Sequence, residues 1–325
     1  MPRFRSPLDF VTPGLPAFKF PHSLLETAVL QSAISTMASF TSTTLMSYDA
    51  ATRRFIVLNP ANNIAGTAYM TQSGHRWVLL GNYNLGAAYP LEPSCIASDG
   101  VNTVLLGGWT DALNMKIRRT VDGGGGWQFV TIGASNSDEV CGLGYSSALS
   151  LWFASTTTQG TFTSVDGSDA SWSVISAPAT YMGNVYARNN GSPLVMLSAS
   201  SGPPGTGYYT TTNGTSLTTR TFPATMAYTR GCYSEYWKLF YAHSAANTYT
   251  SPDAVNWTML NDTPANLYAH GHLLLRSDGY LSSDGGTTWA SCIETLSSAD
   301  WIGSTYGRTL LRDGDTFFVS AGTKV

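Results

Sequence analysis

One turn-like signature recurs six times along this chain, and it limits the fold more than any other feature. A hydroxyl residue is followed by a spacer, an Asp-like residue, a few small residues and an aromatic. The copies are TQSGHRW (71–77), TVDGGGGW (120–127), SVDGSDASW (164–172), TTNGTSLTTRTF (211–222), SPDAVNW (251–257) and SSDGGTTW (282–289). Their anchors, Ser73, Asp122, Asp166, Asn213, Asp253 and Asp284, are separated by 49, 44, 47, 40 and 31 residues. Self-similarity at such a spacing marks a repeat architecture, with the last unit trimmed.

The flanks repeat too. An apolar, β-prone stretch precedes each anchor: FIVLNP, TVLLGG, LWFAST, LVMLSAS, LFYAHS and LLLRS. A further stretch precedes most of these, such as TTLMSYD, SCIASDG, VCGLGYS and GCYSEYW, and a strand-like piece follows most anchors, as in WVLLG, WQFVTI and WSVIS. Each unit therefore reads as four short strands joined by tight turns. Only HSLLETAVLQSAIS (22–35) keeps a helical period. Four-stranded units at this spacing predict an all-β chain, a β-propeller, in which neighbouring sheets cover each other's faces.

Blades are expected near 43–81, 94–132, 139–176, 182–223, 229–260 and 265–294. GRTLLRDGD and TFFVSAG (307–322) match the first two strands of another unit. Residues 300–322, completed by 15–40, would close a ring of seven blades by pairing the chain ends; six blades is the alternative. Residues 1–14 are then an N-terminal arm and 15–325 a single propeller domain.

The turns carry a mechanism. The Asp accepts backbone N–H bonds, glycines admit positive φ, the hydroxyl ties the turn down, and the aromatic fills space between sheets. In SSDGGTTW, the residues Ser282, Asp284, Gly286, Thr288 and Trp289 match S-x-D-x-G-x-T-W. This resembles the Asp-box, or BNR repeat, of sialidases and many other propellers. Asp122 with Trp127, Asp166 with Trp172, and Asp253 with Trp257 are altered copies, while Ser73 and Asn213 stand where the Asp should be. The resemblance implies a structural role for these residues, between the outer strands and away from the catalytic face.

In sialidases, three arginines hold a carboxylate, a Tyr–Glu pair supplies the nucleophile and an Asp is the general acid. The family's Arg-Ile-Pro motif is missing here. Arg188, Arg230, Arg276 and Arg312 fall near inner strands without the family's context, and Tyr233 with Glu235, in GCYSEYW, is the candidate catalytic pair. His270 and His272 share one strand face but lack a third ligand, and Asp313 and Asp315 read as a hairpin turn. The four cysteines, Cys95, Cys141, Cys232 and Cys292, show no metal spacing and read as small buried hydrophobes. No metal and no cofactor is expected.

Charged residues are only 11% of the chain and net charge is −3, so no basic face points to nucleic acid. No apolar run of membrane-spanning length occurs, and no secretory signal is read at the N-terminus. Low charge, four lysines and abundant Ser, Thr, Asn, Gly and Tyr resemble bacteriophage tail or fibre-associated proteins. The expectation is a non-enzymatic virion protein, assembled in the host cytoplasm. Its partners would be other virion proteins, docked through the N-terminal arm, and a host-surface glycan. Tyr83, Tyr89, Tyr208 and Tyr209, in loops rich in Tyr, Asn, Gly and Pro, are the candidate sugar contacts. The alternatives are a sialidase-type glycoside hydrolase and a secreted or surface scaffold propeller of a cell.

Overall fold

The computed structural model describes residues 92–109, 116–133, 138–176, 182–199, 207–223, 230–243, 247–260, 267–270, 272–276 and 280–291, plus the backbone of strands outside these ranges. Every regular element among them is a strand. A short hairpin comes first, β1 (Leu8–Phe10) and β2 (Phe18–Phe20). The first four-stranded sheet follows: β3 (Leu45–Asp49), β4 (Arg54–Asn59), β5 (Thr67–Thr71) and β6 (Val78–Asn82). The second holds β7 (Glu92–Ser98), β8 (Val104–Trp109), β9 (Lys116–Thr120) and β10 (Gln128–Thr131). The third holds β11 (Val140–Ser146), β12 (Leu151–Thr156), β13 (Thr161–Ser164) and β14 (Ser173–Ser176).

The fourth sheet is built from β15 (Met182–Arg188), β16 (Leu194–Ala199), β17 (Gly207–Thr211) and β18 (Thr218–Thr221). β19 (Arg230–Ser234), β20 (Leu239–His243), β21 (Thr248–Ser251) and β22 (Thr258–Leu260) make the fifth. β23 (Leu267–His270), β24 (Leu273–Arg276), β25 (Tyr280–Ser282) and β26 (Ala290–Ser291) make the sixth. A last hairpin joins β27 (Leu310–Asp313) to β28 (Thr316–Val319).

Each four-stranded sheet is an antiparallel meander in chain order, and each terminal hairpin is a sheet of its own. First strands of successive sheets pack side by side: β3 on β7, β7 on β11, β11 on β15, β15 on β19, β19 on β23 and β23 on β27. The second strands explain the continuous apolar runs in the sequence. Along β12, Trp152 and Ala154 face the second sheet, packing with Leu105, Ile117 and Val130, while Phe153 faces Val195 and Leu197 of the fourth. Along β20, Phe240 and Ala242 join Met196 and Tyr208, and Tyr241 joins Leu274. Both faces of these strands are buried, so alternation between apolar and polar disappears. The core is the set of layers between sheets.

The seams are tight at the first strands. Register shifts fall at Pro93/Cys95, Val140/Gly142 and Met182/Val185, near the start of β7, β11 and β15. Such bulges turn a carbonyl out of the ladder. The Val140 carbonyl accepts from the Ser94 hydroxyl at 3.1 Å and the Cys95 thiol at 3.3 Å, and the Gly183 carbonyl accepts from the Ser155 hydroxyl. A Cβ built on Gly142 would collide with that Gly183 carbonyl and lie 2.5 Å from Ser155 Oγ. Gly142→Ala is therefore expected to destabilise the fold by about 1–3 kcal/mol, the usual cost of overpacking, read as a lower denaturation midpoint at unchanged slope.

Candidate functional site

The recurrent turns link the third strand of each sheet to the fourth. In the sixth sheet the Ser282 hydroxyl donates to Asp284 Oδ1 at 2.8 Å and accepts the Gly286 N–H at 2.9 Å. Asp284 also accepts the Thr288 N–H at 2.9 Å and the Thr288 hydroxyl at 2.6 Å. Thr120 and Asp122 repeat this with the N–H groups of Gly124 and Gly126, at 3.0 and 2.9 Å. Ser164 and Asp166 hold Gly167 and Ser168, and Asp253 holds Val255 and Asn256. Asn213, standing where an acid is expected, does the same work: its Oδ1 accepts from Thr215 and Ser216, while Thr211 holds Gly214 at 2.9 Å. The amide oxygen is acceptor enough, because no step here needs the charge. The Ser73 turn lies outside the described residues.

Each turn also docks on the sheet before it. Gly167 packs on Leu105 of the second sheet as well as on Trp152 of its own, Gly214 on Leu151 and Phe153 of the third, and Gly285 on Trp237 of the fifth. The Tyr241 hydroxyl donates to the Gly285 carbonyl at 3.1 Å. The Tyr208 hydroxyl donates to the Ala254 carbonyl at 2.5 Å and accepts the Trp257 indole N–H at 2.8 Å. Tyr208 is fully buried and edge-on to Trp257. This corrects its reading as a sugar contact: it is a cross-link between the fourth and fifth sheets. Tyr209 is half-buried, packed against the layer between the third and fourth sheets. Tyr83 and Tyr89 lie outside the described residues.

In a meander, alternate connections lie at opposite ends of the sheet. The hairpin between first and second strands therefore shares an end with the recurrent turn, and Arg188 Nη1 bridges the two by donating to the Pro252 carbonyl at 3.0 Å. At this end Tyr233 and Glu235 come together. The Tyr233 ring stacks on Phe240, with centroids 4.6 Å apart, and its hydroxyl donates to Asn190 Oδ1 at 3.2 Å. Glu235 Oε1 accepts the Asn189 N–H at 2.8 Å, and its carbonyl accepts from the Asn190 side-chain amide at 3.1 Å. Burial, and then the Glu235 charge, push the Tyr233 phenol up to about 12, against an opposing pull from Arg188. Both causes disfavour the phenolate form. The pair is a latch between two hairpins, on the face that carries the turns.

Among the described residues the other candidates do not converge; the side chains of Arg312 and Asp313, and all of Asp315, lie outside them. Arg188 closes β15 near the turn face, while Arg230 opens β19 at the opposite end. Arg276 is buried and lies over the Tyr280 and Trp289 rings. His270 ends β23 and His272 sits in the turn after it, where its carbonyl accepts the Trp237 indole N–H at 3.1 Å. The two histidines thus flank a chain reversal instead of sharing a strand face.

No protein-family model and no curated protein matches this chain. Solved structures do match in fold. YCF48 bound to a D1 peptide is 16% identical at a TM-score of 0.60, covering 88% of this chain and 92% of its own. A catalytically inactive virginiamycin B lyase from Staphylococcus aureus with quinupristin is 12% identical, with a TM-score of 0.63 over 88% of this chain and 94% of its own. A streptogramin B lyase reaches a TM-score of 0.65 at 10% identity, over 88% and 93% of the two chains. The chain is a β-propeller.

Within the propeller, each four-stranded sheet is a blade, and its first strand, packed on the first strands of its neighbours, is the innermost. Among the described residues no three His, Cys, Asp or Glu side chains gather to hold a metal, and no helix is long and apolar enough to cross a membrane. Cys95, Cys141 and Cys232 are free thiols; burial raises all three pKa values, that of Cys141 to about 12. Asp138 is buried, and its carboxylate caps the N–H groups of Glu139, Thr158 and Gln159. Sequence reasoning missed this residue, since its partners are 20 and 21 residues away for the last two bonds.

The turn acids set the acid response of the propeller. Partial burial alone would raise Asp253; bonds from the Asn256 backbone and side chain, Val255 and Ser251 outweigh it and hold the carboxyl at about 2. Asp122, Asp166 and Asp284 are lowered in the same direction. A folded pKa below the unfolded value of about 3.9 contributes stability above that value, lost as pH falls through the folded pKa. Denaturation midpoints should therefore drop between about pH 4 and pH 2. Asp253→Asn should flatten part of that drop, while retaining the turn as Asn213 does.

Proposed function

We propose that this propeller is a non-enzymatic virion component, bacteriophage tail or fibre-associated, that serves as a structural part and binds a host-surface glycan. The observation that carries the non-enzymatic reading is the Tyr233–Glu235 latch. The one candidate nucleophile pair is engaged in joining blades, the Tyr233 hydroxyl bonded to Asn190 and a Glu235 carboxylate oxygen to the Asn189 N–H. The low charge and hydroxyl-rich, tyrosine-rich composition support a particle component. In this reading the recurrent turns are Asp-boxes. Seven blades is the count favoured, supported by β27 packing on β23 as β23 packs on β19, and residues 15–40 are proposed to complete the seventh. Residues 1–14 reach other virion proteins, and assembly takes place in the host cytoplasm.

Purified protein should release no product from a fluorogenic sialoside, and Tyr233→Phe should leave that baseline unchanged. Turnover lost in Tyr233→Phe would instead establish the hydrolase alternative. Deleting residues 1–40 should lower the thermal midpoint if they close the ring; an unchanged midpoint would favour six blades.

A further inference from the structure

The fold prescribes what the hairpin between first and second strands must contain, and the fifth blade contains more. In the second, third and fourth blades these tips are Asp99–Asn102, Ser147–Ser150 and Asn189–Ser192, built from small or polar residues with Val101 and Leu149 among them. The fifth tip is Glu235, Tyr236, Trp237 and Lys238. Tyr236 is 61% exposed, more than any other aromatic side chain described. An aromatic ring held in water at a repeat position that needs only a turn is a local departure from what folding requires, and such departures gather at functional sites.

The ring is held in place. It packs in T-shaped contact with Trp237, centroids 5.0 Å apart and planes at 78°, and with His272 at 5.9 Å and 63°. Trp237 is fixed in turn: its backbone N–H donates to Ser234 Oγ at 3.2 Å, its indole N–H to the His272 carbonyl, and Gly285 packs on its ring. Lys238 closes the hairpin with φ at 55°. The exposure of Tyr236 leaves ring surface open to solvent between these neighbours, and a tyrosine fixed this way loses little side-chain entropy on binding. The exposed Glu235 and Lys238 flank it in the same hairpin, one an acceptor and the other a donor.

We infer that Tyr236, braced by Trp237 and His272, is the platform for one pyranose ring of a surface glycan, with Lys238 and the Glu235 carboxylate oxygen not held by Asn189 bonding its hydroxyls. The apolar C–H face of a pyranose matches an open phenol ring, and its equatorial hydroxyls match a rim of short-range donors and acceptors. A single exposed ring between charged groups suits a sugar better than a broad apolar partner. The inference rests on the glycan-binding reading above and moves the contact from the loop tyrosines to the turn face.

The test uses the full chain on an array of bacterial surface oligosaccharides, followed by titration of the strongest hit by calorimetry. Tyr236→Ala should weaken binding at least tenfold with an unchanged thermal midpoint, and Tyr236→Phe should retain most of it. Equal binding by wild type and Tyr236→Ala sinks this site while leaving the glycan reading intact. Absence of any wild-type binding overturns both the site and the glycan reading.

Discussion

No four-stranded antiparallel sheet in this chain can bury both of its faces alone, and everything else follows from that. Trp152 and Phe153 are neighbours in sequence and both are buried, yet they belong to different layers. Each blade is half of two cores. The hydrophobic term is therefore collected only when blades stand at a fixed spacing, and devices that set the spacing matter more than any one blade's composition.

Two devices set it. Near the start of the first strands, bulges and glycines let one backbone approach the next, as at Gly142 and the Gly183 carbonyl. At the outer strands, the recurrent turn folds on itself through a hydroxyl and a carboxylate or amide, and presents glycine or a carbonyl to the preceding blade. Tyr208 and Tyr241 are the matching receivers. The turn is thus at once a local motif and a long-range contact, which accounts for its recurrence at blade spacing.

Much of this was legible in the sequence. The period of the signature, the apolar runs before it and the absence of helical pattern lead to four-stranded units, because those signals are local. The roles of Tyr208, Tyr233 and Tyr236 were not. All three look alike as aromatics near a turn; what separates them is whether a neighbouring blade covers the ring, and that is decided by residues 36 to 49 positions away. Tyr208 was read as exposed because Gly and Pro precede it, yet the strand it enters faces Trp257. Asn213 was read as a degenerate copy, whereas an amide oxygen is sufficient for the bonds the turn needs. Asp138 has no motif at all, being defined by the turn it caps.

The fourth turn bears on how the protein ages. Asn213–Gly214 is the dipeptide most open to deamidation, in which the glycine nitrogen attacks the side-chain amide to form a succinimide. Here that nitrogen is held by Thr211 at 2.9 Å, and the amide oxygen is engaged by two N–H groups. The proton that the glycine nitrogen must lose before it can attack is committed to the Thr211 hydroxyl. Chemical damage at this position is thereby tied to local opening of the turn, and the folded ring preserves an asparagine that the unfolded chain would lose.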